Sequence, residues 1–139
     1  MRGIKGRTTP RRAARPAVEG TLALKPQARR EFATAVKLKR LVKALGLNAT
    51  ARVLGVDRGQ LSRCANGMEA VSQGVARRII DVEYVLDRAL RLMWPDEVGP
   101  WLSSPEPLLG GSTPLNVLIL SGPARVVQAI DGRAAGAFA

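Results

Sequence analysis

The chain has 139 residues, of which 46% are hydrophobic but only 4% aromatic, and its net charge is +11. This length supports one modest core or two small subdomains, and an apolar content dominated by Leu, Val, Ile and Ala favours packed helices over a β-sandwich. A single cysteine and the absence of histidine exclude an internal disulfide, a usual zinc site and a nucleophile with its base, so we expect no metal, no cofactor and no catalytic residue.

The positive charge is concentrated at one end of the chain. Residues 1–46 contain 13 Lys/Arg and 2 Asp/Glu, whereas residues 47–139 contain 9 of each kind. This asymmetry is typical of proteins whose partner is a polyanion, most often nucleic acid. Residues 1–25 are rich in Gly, Pro and cations and poor in large apolar side chains, so we predict a disordered basic arm, which either attracts phosphates or only keeps the chain in solution.

No stretch of the sequence predicts export or a membrane span. The longest apolar run, Val117 to Leu120, is far shorter than a bilayer is thick. Arg11-Arg12 is followed by charge and prolines instead of the hydrophobic region of a signal peptide, and glycines and prolines interrupt the helical spacing of a transit peptide. We therefore expect a soluble cytoplasmic protein without membrane contact.

The first predicted helix runs from Gln27 to Leu45 and ends at Gly46. Its larger apolar residues recur near one face, which we expect to brace the segment that follows. The rest of its surface is basic, with Arg29, Arg30, Lys37, Lys39, Arg40 and Lys43. These cations either lie along a nucleic-acid backbone or are solvated.

A helix-turn-helix is predicted over residues 48–67. Its turn is at Gly55-Val56, where glycine supplies the positive φ that a tight turn needs. A stop is expected at Asn66-Gly67. The first helical segment is Ala49–Leu54, and its predicted N-cap is Asn48. The second is Asp57–Ala65, and its predicted N-cap is Asp57 itself.

The second of these segments has an inward and an outward side. Leu61 and Cys64 point inward by helical spacing. The predicted DNA-binding residues, on the outward side or at the exposed N-terminal end, are Arg58, Gly59, Ser62, Arg63 and Asn66. The alternative is an ordinary helical hairpin whose Arg63 is only solvated.

A long helix is predicted from Ser72, its N-cap, to Trp94, where Pro95 ends it. Its apolar residues form a continuous stripe with further apolar residues beside it, which favours burial on two sides and makes dimerisation plausible. The acids on this helix are predicted to form ion pairs with cations four residues away, as in Asp87 with Arg91, instead of acting as catalytic carboxylates.

Beyond Pro95 the sequence is rich in Pro and Gly, and we predict an irregular connection that is packed down by its apolar residues. Thr113 and Pro114 are the predicted N-cap and first residue of a short helix, and a last helix begins at Ala124. Phe138 is either a core residue of this chain or a contact for a partner.

The C-terminal third carries an ordered set of Trp, Pro, Gly and aliphatic residues. They are Trp101-Leu102, Pro105, Pro107, Leu109-Gly110-Gly111, Pro114-Leu115, Leu118, Gly122, Val127, Gly136 and Phe138. In this order they resemble the toxin-binding domain of the Xre/MbcA/ParS antitoxins, the partners of RES-domain toxins in type II toxin-antitoxin modules. With the helix-turn-helix, the likeness covers residues 48–139. Ser112 departs from it, because members often have a basic residue there, and residues 1–25 lie outside it.

The resemblance implies an all-α fold with a helix-turn-helix subdomain, a long connecting helix and a small helical toxin-binding subdomain. The corresponding boundaries are 1–25 for the basic arm, 26–70 for the Xre-like subdomain, 71–94 for the connecting helix and 95–139 for the toxin-binding domain. It further implies an antitoxin, not an enzyme, that occludes the active site of an NAD-degrading RES toxin and represses its own operon. The implied partners are this toxin and operator DNA, and the implied toxin-binding residues are Arg133, Phe138 and Ala139. The apolar stripe of the long helix adds a second copy of the chain as an expected partner.

Two other functions fit the same sequence. One is a stand-alone Xre-like repressor of the same fold, whose C-terminal third serves only for dimerisation. The other is a basic architectural or RNA-associated protein in which residues 1–25 bind nucleic acid and the helix-turn-helix is a scaffold.

Overall fold

The structure, a computed structural model, describes residues 25–137. Within this range all regular structure is helical, with seven α-helices, one 3₁₀ helix and no strand, so the predicted all-α class is confirmed. None of these helices is long and apolar enough to cross a membrane. Residues 26–30 form the start of the first helix, and the compact unit described below begins at Glu31. Except for Lys25, the predicted basic arm lies outside the described residues.

The helices follow one another with short connections. In chain order they are α1 (Pro26–Leu45), α2 (Leu47–Leu54), α3 (Arg58–Ala65), α4 (Gln73–Ala89), α5 (Pro95–Leu102), the 3₁₀ helix (Pro107–Leu109), α6 (Pro114–Ser121) and α7 (Ala124–Ala137).

A single residue, Gly46, joins α1 to α2. Its φ of 89° is in the left-handed region that favours glycine. The Thr50 hydroxyl donates to the Gly46 carbonyl oxygen (2.7 Å) and lies 3.3 Å from the Leu41 carbonyl oxygen, so it partners backbone oxygens where α1 ends. The prediction of Asn48 as an N-cap is wrong. Because one glycine makes the junction, α2 begins before Asn48, which lies in its first turn.

One hydrophobic core joins all the described helices. Helix α2 contacts α3, α4 and α6, and α7 packs on α4, α6 and the 3₁₀ helix. The fully buried side chains at the centre include Leu38, Leu54, Leu61, Val85, Val98 and Val126, which come from six different helices. Burying each contributes roughly 1.5–3 kcal/mol. The helix-turn-helix and the C-terminal helices therefore share one core.

The connecting helix is shorter than predicted. Ser72 is its N-cap as expected, because the hydroxyl accepts a hydrogen bond from the Val75 backbone N–H (3.2 Å). However, α4 ends at Ala89, and Pro95 begins α5 instead of ending α4. Proline suits the first position of a helix, where its missing N–H is no loss. The Glu97 carboxylate fixes this start by accepting a hydrogen bond from the Trp94 backbone N–H (2.7 Å).

The segment after Pro95 is more regular than the predicted connection. It contains α5 and the 3₁₀ helix, even though Pro100 lies inside α5. Gly99 lets α5 pass close to the end of α1, since a Cβ there would be only 3.3 Å from the Ala44 carbonyl oxygen. The Thr113 hydroxyl caps α6 by accepting a hydrogen bond from the Asn116 backbone N–H (3.2 Å), as predicted for Thr113 and Pro114.

Two of the three acids of α4 pair with cations of α1. Asp87 accepts a hydrogen bond from Arg40 of α1 (3.2 Å). The predicted ion pair of Asp87 with Arg91 is therefore not formed. Glu83 pairs with Lys37 of α1 (3.7 Å). Because α1 lies beside α4, its long side chains reach these carboxylates across the helix pair. The ion pairs therefore link helices of the compact unit to one another.

Candidate functional site

The helix-turn-helix is held together at the turn between α2 and α3. Gly55 ends α2 with a φ of 71°, the positive φ predicted for it. Arg78 of α4 reaches this turn and donates a hydrogen bond to the Leu54 carbonyl oxygen (3.0 Å). The positive φ is what favours glycine at position 55, and a Cβ there would in addition displace the Arg78 guanidinium from its hydrogen bond.

Helix α3 has the cap and the inward face that the sequence predicts. The Asp57 carboxylate accepts a hydrogen bond from the Gln60 backbone N–H (2.7 Å) and so caps the helix. Leu61 and Cys64 are buried and line a small apolar pocket with residues of α1, α2 and α4. Burial raises the pKa of the Cys64 thiol, which disfavours the reactive thiolate. Cys64 is therefore a packing residue.

The predicted DNA-binding residues are all exposed. They form what we call the α3 face: Arg58, Gly59, Ser62, Arg63 and Asn66. The Asn66 side-chain amide donates to the Ser62 carbonyl oxygen (2.9 Å), which partners one of the last carbonyls of the helix. The α3 face is polar and carries two cations, as a surface that meets a phosphate-lined groove requires. Contact with DNA remains a prediction.

One cation of the α3 face is held by an acid. Arg63 Nε donates to Glu69 Oε1 (2.9 Å), and the hydrogen bond and charge of Glu69 raise the pKa of Arg63. The same guanidinium lies beside Gly59, where a Cβ would be 3.2 Å from Arg63 Nη1. In residues 25–137 no acid pairs with Arg58, the other cation of the face.

The predicted basic face of α1 is divided by its ion pairs. Lys37 and Arg40 form ion pairs with acids of α4. Lys39 and Lys43 are exposed and pair with no acid of the described range. Elsewhere in that range, no group of three or more His, Cys, Asp or Glu residues is placed to hold a metal ion. The chemistry available at this end of the molecule is therefore the attraction and hydrogen bonding of anions.

The C-terminal end is organised around a buried carboxylate, Glu106, which is only 2% exposed. Its Oε2 accepts hydrogen bonds from the Trp101 indole Nε1 (2.8 Å) and from Arg133 Nη1 (3.1 Å), and its Oε1 accepts one from the Leu108 backbone N–H (3.2 Å). Burial alone would raise the pKa of Glu106, but these hydrogen bonds and the Arg133 charge outweigh it and lower the pKa. Glu106 is therefore held as a carboxylate.

Arg133, predicted from the resemblance to bind a toxin, thus has a partner within its own chain. Its side chain remains 44% exposed, so part of the guanidinium faces solvent. Beside it, Leu108 is 55% exposed and approaches Gly132, where a Cβ would lie 3.1 Å from Leu108 Cδ1. The other two predicted toxin-binding residues, Phe138 and Ala139, lie outside the described residues.

Neither of the two carboxylates that organise these regions was predicted from the sequence. Glu69 is six residues from Arg63, a spacing at which side chains of a helix do not meet. It comes alongside because the chain turns at Gly67, whose φ is 73°. For Glu106 a signal exists, because it is the only charged residue between Glu97 and Arg125. An isolated acid among apolar residues indicates an internal partner.

No family model and no curated protein matches the sequence. Among solved structures, the fold is similar to that of a chain in the crystal structure of the M. tuberculosis MbcT-MbcA toxin-antitoxin complex. The TM-score is 0.64 at 23% sequence identity, and the match covers 76% of this chain and 96% of that chain. The resemblance to Xre/MbcA/ParS antitoxins predicted from the sequence is therefore confirmed at the level of the fold.

Proposed function

We propose that this protein is the antitoxin of a type II toxin-antitoxin module whose toxin is a RES-domain protein that degrades NAD. The observation that carries the proposal is the fold it shares with a chain of a toxin-antitoxin complex, over nearly the whole of that chain. The order of Trp, Pro and Gly residues in the C-terminal third supports the same function. In this function the protein performs no chemistry and acts in the cytoplasm by binding the toxin.

The toxin would be bound at the C-terminal end, with α7 and the residues after it covering the active site. Arg133 and the final Phe138-Ala139 are the residues that we expect to enter the cleft of the toxin. Large apolar side chains are also exposed in this half of the chain, namely Trp94, Leu108 and Leu120, the last of them 83% exposed. A protein partner would bury such surface, which supports a protein contact here.

Co-expression with the RES-domain toxin of the same module tests this proposal. The full chain should be recovered bound to the toxin and should preserve cellular NAD. A chain lacking only Phe138-Ala139 should still bind but should leave the toxin active. This short deletion keeps Arg133 on Glu106 and therefore preserves the described fold.

A chain lacking residues 1–24 is the control and should neutralise the toxin fully. Absence of binding by the full chain would refute the antitoxin proposal. Full inhibition by the chain without Phe138-Ala139 would instead refute occlusion by the tail and leave toxin binding intact.

We also propose that the α3 face binds the operator of the module and so represses it. A homodimer would place two such faces on half-sites about 34 Å apart. Arg58→Ala and Arg63→Ala should each weaken operator binding roughly 10- to 100-fold in a gel-shift titration, with neutralisation unchanged. Arg91→Ala removes an exposed cation in the turn after α4 and is the matched control. Equal affinities for all three variants and the wild-type protein would refute this assignment.

A further inference from the structure

The way in which Arg63 is held differs from that of the other arginines. In the part of the chain that the structure describes, the other arginines with a hydrogen-bond partner all use a terminal guanidinium nitrogen; they are Arg40, Arg52, Arg78, Arg88 and Arg133. Arg63 uses Nε, which donates to Glu69 Oε1 (2.9 Å). Its two terminal nitrogens form no hydrogen bond within the described residues, and the bond at Nε orients the guanidinium.

Gly59 leaves room for this guanidinium. Side chains of a helix lean toward its N-terminus, so Arg63 extends back over the residue four positions earlier. That residue is Gly59, and a Cβ there would come within 3.2 Å of Arg63 Nη1. The missing side chain leaves room for the guanidinium near the start of α3, which is the part of a recognition helix that contacts base edges.

These contacts match the chemistry of one base. In the major groove, guanine presents the N7 and O6 acceptors side by side, and an arginine binds them with two parallel N–H donors. When Nε is already bonded to a carboxylate, Nη1 and Nη2 are the pair that remains. A fixed guanidinium also loses less conformational freedom on binding than a free one.

We propose that Arg63 hydrogen-bonds a guanine through Nη1 and Nη2, and that Glu69 and Gly59 are the positioning residues for this contact. The inference rests on the proposed binding of DNA by the α3 face and adds the identity of the base. Glu69 acts through Arg63 and does not itself touch the base. Its negative charge close to a phosphate-lined groove is tolerated because Arg63 neutralises it.

The test is selection of binding sites from a randomised duplex library with the full chain, followed by affinity measurements on the selected duplex. Wild-type protein should select a guanine at one position in each half-site and should lose roughly tenfold or more in affinity when that guanine is replaced by adenine. Arg63→Lys keeps the charge but not the two parallel N–H donors, and Glu69→Gln keeps Arg63 but removes the carboxylate that orients it. These two variants should lose the preference at this position only. Gly59→Ala adds a Cβ that Arg63 Nη1 must move slightly to avoid, so it should weaken the preference.

Asp131→Asn is the matched control, because it removes the acid of another surface arginine pair, that with Arg88, and should leave the guanine preference unchanged. A purely electrostatic role of Glu69 predicts that Glu69→Gln strengthens binding to every sequence. A purely structural role predicts uniformly weaker binding. Either result would overturn the inference. Retention of the guanine preference by Glu69→Gln or Arg63→Lys would also overturn it. None of these results would refute the proposed binding of DNA by the α3 face. Failure of wild-type protein to select any duplex would refute both.

Discussion

Two glutamate–arginine pairs lie in the two candidate functional regions of the molecule, and they differ in which donors they leave without a partner in the chain. Glu69 has a 36% exposed side chain and bonds Arg63 only through Nε, so most donors of that arginine face outward. Glu106 is almost fully buried and collects donors from Trp101, Leu108 and Arg133. The Glu69–Arg63 pair leaves a cation exposed to solvent, whereas the charges of the Glu106–Arg133 pair stabilise the fold.

This difference bears on what each region can bind. At the α3 face the polar groups are available, which suits a polyanion whose phosphates and base edges need hydrogen bonds. At the C-terminal end the principal charges are already satisfied, and much of what is exposed is apolar, as at Leu108 and Leu120. Such a surface suits another protein. One shared core thus supports two surfaces of different chemistry.

The largest effect is expected for Glu106→Ala. The substitution leaves the Trp101 indole N–H and the Leu108 backbone N–H without an acceptor and removes the partner of Arg133. We expect the free energy of unfolding to fall by about 3 kcal/mol, measured by urea denaturation. Glu106→Gln keeps the volume and one acceptor oxygen and should cost less. Equal stability of Glu106→Ala and the wild-type protein would show that the buried network does not hold the C-terminal end.

The next largest effect is expected for Gly55→Ala, which tests whether backbone geometry holds the helix-turn-helix. Alanine is strained at a φ of 71°, and its Cβ would displace Arg78 from the Leu54 carbonyl oxygen. The loss should be about 2 kcal/mol in the free energy of unfolding. Gly67→Ala is the control, because Gly67 has a φ of 73° but open space around it. If both variants lose the same amount, the contact with Arg78 contributes nothing.

The same two regions show how far the sequence allowed the structure to be predicted. The helix-turn-helix depends on local signals, such as the Asp57 cap, the Gly55 turn and the inward Leu61 and Cys64, and all of these were predicted correctly. Asn48 was placed wrongly because Gly46 alone separates α1 from α2, so α2 begins before Asn48. A local pattern suffices where a helix is specified by its own ends and spacing.

The C-terminal end depends on partners that are distant in sequence. Helix α5 was missed because its prolines indicate a loop, and its position depends on the close approach of Gly99 to Ala44. The bond between Arg133 and Glu106 was missed because the two residues are 27 positions apart, and the toxin contact of Arg133 stays a prediction. The resemblance of the C-terminal third to the antitoxin family nevertheless predicted the fold, because the order of its Pro and Gly residues determines where the turns lie.

A smaller effect is expected from pH, and it concerns Glu106. Its pKa is lowered in the folded protein, so its stabilising contribution is complete above the unfolded-state pKa and is lost as pH falls through the folded-state value. Protonation keeps the side chain in place, so the loss is smaller than in Glu106→Ala. The difference in unfolding free energy between wild-type protein and Glu106→Gln should shrink between neutral pH and about pH 3. A constant difference would show that the charge of Glu106 is not used.

The smallest effect is expected for Glu69→Gln. Exposed ion pairs contribute little to stability, because water already solvates both charges and ordering two long side chains costs entropy. Differential scanning calorimetry should therefore show a change in Tm of less than about 2 °C. A markedly larger loss would mean that Glu69 holds the turn after α3, as Glu106 holds the C-terminal end. With an unchanged Tm, any altered base preference of this variant belongs to the orientation of Arg63, since the helix that carries it is intact.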